Sequence, residues 1–386
     1  MSRGINLSKG WNPMKIRLFL LALLLGLMTI ASACAEAADI TGECTFTYAP
    51  ASQNKKTMSD ASYLTYYSGK WLEVTAPEDQ PCYGLYFSFA KREVDYQVQI
   101  PGENGEWIPI ATDHRRYTNS YLALPGLTRF RIVPTSSDLI HISEIHLLGE
   151  GELPAWVQDW QPFTADKADL LVLSAHCDDE LLFFGGVIPY YAGEKQLNVI
   201  VCYLTDQTHT RRSEALDGLW TCGVRAYPEM GVFKDIKVNS ARECYPYWGE
   251  EAVRSHIAGL IAKYRPEVMV THDTRGEYGH GAHKVCAEMA MQYVDSAPAD
   301  AWQVKKLYLH LYKENSITLD WRQPLDFFGG RTAFDVAKAA FDCHKSQKSN
   351  GLIVQDWGAY ANNLFGLYYT SVGPDTGAAD LFENIP

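Results

Sequence analysis

An α/β fold, doubly wound (Rossmann-like) around a mostly parallel sheet and preceded by an all-β sandwich domain, is what this 386-residue chain predicts. Three observations carry the prediction. In the second half, apolar runs at 170–175, 198–205, 267–271 and 306–312 alternate with helical patterns at 212–222, 250–264, 281–294 and 332–342, as βαβ units do. In the first half, short aromatic and β-branched runs succeed one another between Pro, Gly, Asn and Asp. Between the halves, Glu152 to Pro162 contains two prolines and two tryptophans and marks a boundary.

Taken in order, residues 1–38 read as a secretory signal peptide. Lys15 and Arg17 precede an apolar run from Leu18 to Ile30, and small residues surround Cys34. A spanning helix needs about 20 apolar residues, more than this run offers. Cys34 follows small residues, as in a lipoprotein signal, although Ala31 stands where such signals usually have Leu. Secretion or the cell envelope is therefore expected, with a lipid on Cys34 as the sole membrane contact. Nine cysteines occur without a CxxC pair, which argues against a zinc ribbon. Cys44 with Cys82, and Cys222 with Cys244, are the first disulfides to test.

The sandwich is expected over 39–150, with strands at 63–67, 70–75, 83–89, 96–100, 107–110 and 129–133. Its closing run, Ile142 to Gly149, resembles the last strand of discoidin-like, galactose-binding-type sandwiches. Trp71, Trp107 and the tyrosines either stack on sugars or fill the sandwich core. A linker follows over 151–167, and the α/β domain over 168–386. A formal charge of −12 disfavours nucleic acid and anionic membranes, which reward a basic face.

The chemistry gathers where the first buried strand ends. Leu170 to Ser174 runs into Ala175-His176-Cys177-Asp178-Asp179-Glu180. Open α/β sheets bind ligands beyond the carboxyl ends of their strands, so these side chains belong in a crevice. His176 and Asp179, three apart, can share one ion, and Asp178 then lies beside it, placed to take a proton from water. A hundred residues on, Tyr278-Gly279-His280-Gly281-Ala282-His283 adds two imidazoles. His, Asp and His are the donors of a catalytic zinc site with one position open. The plainer reading of the acids is a solvated helix start, and of the histidines satisfied imidazoles.

Ala175 to Glu180 resembles the Ala-His-Pro-Asp-Asp-Glu signature of the LmbE-like, or PIG-L-type, N-acetylglucosaminyl deacetylases. Gly276 to His283 resembles that family's His-x-x-His motif, Arg211 to Ala215 its Arg-containing helix start, and Cys343 to Gln347 its late His-x-Ser-Gln segment. The resemblance spans about 168–386. It implies His176, Asp179 and His283 as zinc ligands, although such a set also accepts iron, manganese or cobalt. It further implies Asp178 as general base and His280 as the cation that stabilises the oxyanion or protonates the leaving amine. Arg211 is matched to the substrate-binding arginine, with Arg212 as its rival. Cys177 and Gly281 stand where the family commonly has Pro, and Cys177 is expected to be structural. The function implied is exported deacetylation of an N-acetylglucosamine-type sugar or conjugate. The alternative is a non-catalytic envelope protein that binds carbohydrate and carries an inactive deacetylase-like domain.

Overall fold

The computed structural model describes residues 35–49, 58–377 and 379–385. Most of the expected signal peptide, Cys34 included, lies outside the described residues. Among the described residues no helix is long and apolar enough to cross a membrane.

Among the described residues nine strands come first: β1 (Thr45–Tyr48), β2 (Tyr67–Gly69), β3 (Leu72–Thr75), β4 (Cys82–Phe89), β5 (Tyr96–Pro101), β6 (Trp107–Asp113), β7 (Asn119–Leu127), β8 (Arg129–Pro134) and β9 (Ile140–Leu148). They form two antiparallel sheets, ordered β1-β3-β8-β5-β6 and β2-β9-β4-β7. Alternation sends Val74, Val98, Phe130 and Ile132 from one sheet, and Leu85, Phe87, Ile145 and Leu147 from the other, into one apolar core. Tyr63, expected in a strand, instead lies in a turn, and its hydroxyl donates to Asp217 at 2.9 Å.

The second half is built on a six-stranded sheet of β10 (Leu170–Ser174), β11 (Val199–Tyr203), β14 (Val268–Thr271), β15 (Lys306–His310), β16 (Ser316–Thr318) and β17 (Leu364–Thr370). The short strands β12 (Thr205–Asp206) and β13 (Phe233–Lys234) pair separately. The order is β11-β10-β14-β15-β17-β16. Its first four strands are parallel, and β17 with β16 adds an antiparallel edge. Strand β10 is apolar on both faces because both are covered: Leu170 and Val172 join one core, Leu171 and Leu173 the other. The covering helices are α1 (Asp179–Leu182), α2 (His209–Thr221), α3 (Ala241–Trp248), α4 (Glu250–Tyr264), α5 (Gly281–Ser296) and α6 (Ala333–Phe341). Helices α2 and α6 pack on one face, α4 and α5 on the other.

The expected pairing of Cys222 with Cys244 is not made, because the two lie in cores on opposite faces of this sheet. Cys44 and Cys82 share the first core, where the Cys82 thiol donates to the Gly84 carbonyl at 3.1 Å.

The β-rich half leans on α2, the helix that carries Arg211. Besides the Tyr63–Asp217 bond, Glu93 faces His209 at 3.2 Å and Arg212 at 3.5 Å. Tyr117 stacks on Tyr227 with ring centroids 3.9 Å apart. The first three of these contacts reach α2 itself, and the Tyr117–Tyr227 stack reaches the segment that follows it.

Candidate metal centre

Strands β10 and β14 are parallel neighbours, so their carboxyl ends open on the same edge. Their exits interlock, for the Ala175 N–H donates to His272 Nε2 at 2.9 Å. Asp178 then turns the chain with φ +124° and ψ −30°, a conformation that L-residues rarely adopt. Such strain persists where a side chain must be aimed. It puts Asp179 one residue into α1 and folds its carboxylate back over His176.

Three donor atoms meet there. Asp179 Oδ2 lies 2.7 Å from His176 Nδ1 and 3.1 Å from His283 Nε2, and the two nitrogens are 3.3 Å apart. An ion bound tetrahedrally at about 2.0–2.1 Å from each ligand would set them about 3.3 Å apart, so the triangle fits a zinc-sized cation. The trio is buried. Burial opposes charge on His283, but Asp179 and Glu277 outweigh it and push its pKa up to about 10. Burial likewise works against charge on Asp179, yet His283 and His176 hold its carboxyl well below the usual range. Positive charge is thus already favoured where a cation would sit.

His272 and His280 also stand near this point. The lone pair of His272 Nε2 is taken by Ala175 N–H, which removes it as a donor. His280 caps α5 and accepts the Ala282 N–H on Nδ1 at 3.2 Å. Its Nε2 is left as an N–H donor, the tautomer following from that bond. Burial, reinforced by His176 and His283, lowers the His280 pKa to about 3, so the ring is neutral. At the position where a cation is expected, His280 thus keeps its Nε2 side for donation.

Asp178 borders the trio without joining it. Burial first, then the neighbouring Asp179, raises its pKa, while Arg211 opposes the shift. Arg211 Nη2 lies 3.1 Å from Asp178 Oδ1 and donates to the Cys177 carbonyl at 2.7 Å. Arg212 turns the other way, to Asp206 and Glu93. Of the two arginines, only Arg211 reaches the site.

None of the acidic triplet is a solvated helix start. Glu180 is fully buried, accepts the Asp178 N–H at 2.9 Å and the Tyr203 hydroxyl at 2.8 Å, and burial pushes its pKa up to about 8. Cys177 is buried too, and burial followed by Glu180 raises its thiol pKa well above the ordinary value. It fits the structural role expected of it.

A cavity of about 790 Å³ opens over these groups, lined by His176, Asp178, Asp179, Arg211, Asp235, Tyr278 and His280, with Lys237, Asn239, Gln347 and Asn350 farther out. Three contributors escape sequence reasoning. Asp235 follows a two-residue strand and faces His176 Nε2 at 3.4 Å. Glu277 accepts from His283 Nδ1 at 2.6 Å. His272 comes directly after β14, much as His176 comes two residues after β10, and the strand-end rule applied to 267–271 would have found it.

Residues 171–294 match the family model described as "PIG-L: GlcNAc-PI de-N-acetylase". A 1D-myo-inositol 2-acetamido-2-deoxy-alpha-D-glucopyranoside deacetylase of Thermobifida fusca is 28% identical over 172 residues, covering 36% of this chain and 60% of that protein. A probable N-acetylglucosaminyl-phosphatidylinositol de-N-acetylase of Schizosaccharomyces pombe is 26% identical over 133 residues, covering 33% of this chain and 53% of that protein. The chain thus spans between half and two thirds of the length of these curated relatives. Among solved structures, the N,N'-diacetylchitobiose deacetylase from Pyrococcus horikoshii superposes with a TM-score of 0.35 at 18% identity, over 49% of this chain and 74% of that one.

Proposed function

We propose that this protein is an exported, metal-dependent deacetylase that hydrolyses the N-acetyl group of an N-acetylglucosamine-type sugar or conjugate. The observation that carries the reading is the triangle of His176, Asp179 and His283 donors, with Asp178 and His280 on its rim. The similarity of residues 171–294 to deacetylases of N-acetylated glucosamine units supports the substrate class.

A divalent cation such as zinc, held by His176, Asp179 and His283, would supply Lewis acidity to the attacking water and the acetamide carbonyl. The remaining work falls to the chain's own groups. Asp178 accepts the proton of the attacking water, since its carboxylate lines the same cavity. Arg211 holds that carboxylate and the Cys177 carbonyl together, so the base stays aimed although its backbone is strained. His280 offers Nε2–H to the oxyanion of the tetrahedral adduct. Asp178, having taken a proton, returns it to the departing amine. Asp235 and Arg211, on the cavity wall, suit sugar hydroxyls, so Arg211 serves both base and substrate.

The β-rich half we read as a discoidin-like sandwich over 39–150, joined by a linker over 151–167 to a catalytic domain over 168–386. Its cross-contacts to α2 support a bracing role. Export, and a lipid on Cys34, rest on the N-terminal sequence. The deciding experiment is acetate release from a panel of N-acetylated amino sugars, with and without a chelator. Release that the chelator abolishes is expected. Zinc-loaded protein that binds these sugars without releasing acetate would overturn the reading in favour of a carbohydrate-binding protein.

A further inference from the structure

We propose that Glu277 is the positioning residue of the metal centre: one buried carboxylate that receives N–H groups from the imidazoles of His272 and His283, faces a third imidazole, His310, and thereby directs the lone pair of His283 at the ion. The inference rests on the functional reading above for the identity of the ion site, but its own evidence is geometric. Glu277 Oε2 faces His283 Nδ1 at 2.6 Å and His272 Nδ1 at 3.1 Å. Oε1 faces His310 Nδ1 at 2.9 Å and accepts the Asp273 N–H at 3.0 Å. His272 follows β14, His283 rides on α5 and His310 ends β15, so a single side chain ties two strand ends and a helix together. All four side chains are wholly buried.

Two of these bonds go with a defined tautomer, while His310 faces acceptors from both nitrogens, Glu277 at Nδ1 and the Ala361 carbonyl at Nε2. With its proton on Nδ1 held by Glu277, His283 turns Nε2 toward the donor atoms of Asp179 and His176, so that an ion bound there meets its lone pair. With its proton on Nδ1, His272 keeps Nε2 free to accept the Ala175 N–H, which anchors the residue preceding the ligand His176. Glu277 therefore acts on two of the three ligands, one directly and one through the strand end. The backbone gives independent support: Glu277 sits at φ +52°, between Gly276 at +72° and Gly279 at +100°. Left-handed turns favour Gly or Asn, and the turn at Glu277 aims its carboxylate inward at the three rings. Carboxylates behind ligating imidazoles orient them and strengthen their binding of the ion, and loss of one typically costs 10–100-fold in affinity.

The test is zinc affinity, measured by competition with a chromophoric chelator, for wild type, Glu277→Gln and Asp375→Asn. The last removes the partner of buried Lys306, far from the site, and controls for lost stability alone. Glu277→Gln should bind zinc about 10–100-fold more weakly and shift the d–d bands of the cobalt-substituted protein, with Asp375→Asn unchanged in both. Wild-type affinity and an unaltered cobalt spectrum in Glu277→Gln would overturn the proposal. If that variant does not fold, imidazole ¹⁵N shifts of the wild type decide. The His272 proton should lie on Nδ1 with or without zinc, and the His283 proton on Nδ1 in the zinc form; either proton on Nε2 refutes it. Zinc binding without acetate release would sink the deacetylase reading and leave this one standing.

Discussion

Replacing Asp178 by Asn separates the base from the metal centre. Asp178 is outside the donor triangle, so Asp178→Asn should retain a full complement of metal. A positioned general base contributes about 10²–10⁴-fold, and at 1.36 kcal/mol per decade the barrier should rise by about 2.7–5.4 kcal/mol. Stability should move differently. Burial and Asp179 raise the Asp178 pKa against the pull of Arg211, so its negative charge is less favourable in the fold than in the unfolded chain. Removing that charge forfeits the 3.1 Å contact to Arg211 but relieves burial and the Asp179 repulsion. At pH 8 the metal-free variant should therefore melt no lower than wild type, with Asp178→Ala as a check against deamidation. Acetate release, plasma spectrometry for metal and thermal melting together decide. A near-wild-type rate in a metal-replete variant would refute the base assignment, and loss of metal would refute the ligand set.

Three further outcomes follow from the same geometry. His283→Ala should lose bound metal, seen by plasma spectrometry. It should also destabilise the metal-free protein by about 1–3 kcal/mol, because Glu277 loses a buried donor. Cys177, buried with a raised thiol pKa, should resist thiol reagents in the folded protein at pH 8, and stoichiometric labelling in parallel with lost activity would contradict its structural role. Burial pushes the Asp217 pKa up to about 6 against its bonds from Tyr63 and Gln158. Between about pH 4 and 6 the folded state then binds more protons than the unfolded chain, so this group's contribution to stability falls as pH rises. Asp217→Asn should flatten that part of the profile, read as melting temperature against pH.

Much of the site was legible in the chain because its parts are local. His176 and Asp179 are one turn apart behind an apolar strand, and His280 with His283 spans the first turn of α5. The four parallel strands and four of the flanking helices were likewise visible, since burial on both faces of a sheet demands continuous apolar runs. Helix α3 escaped because Pro246 sits inside it and aromatic residues blur its period. Strand β17 escaped because its Gly366 and intermixed aromatics carry no clear alternation. The two-residue pair β12–β13, which delivers Asp235, is too short to leave any pattern.

What the sequence alone determined is the inventory: which residue types are offered to an ion, in which order, and that they follow buried strands. Only the tertiary structure shows which imidazoles keep a nitrogen turned toward the proposed ion site, because that depends on where each ring's second nitrogen finds a partner. Ala175 N–H claims His272, Ala282 N–H claims His280, and Glu277 turns His283 inward. Those partners come from segments up to about a hundred residues apart, brought together because parallel strands open their carboxyl ends on a common edge.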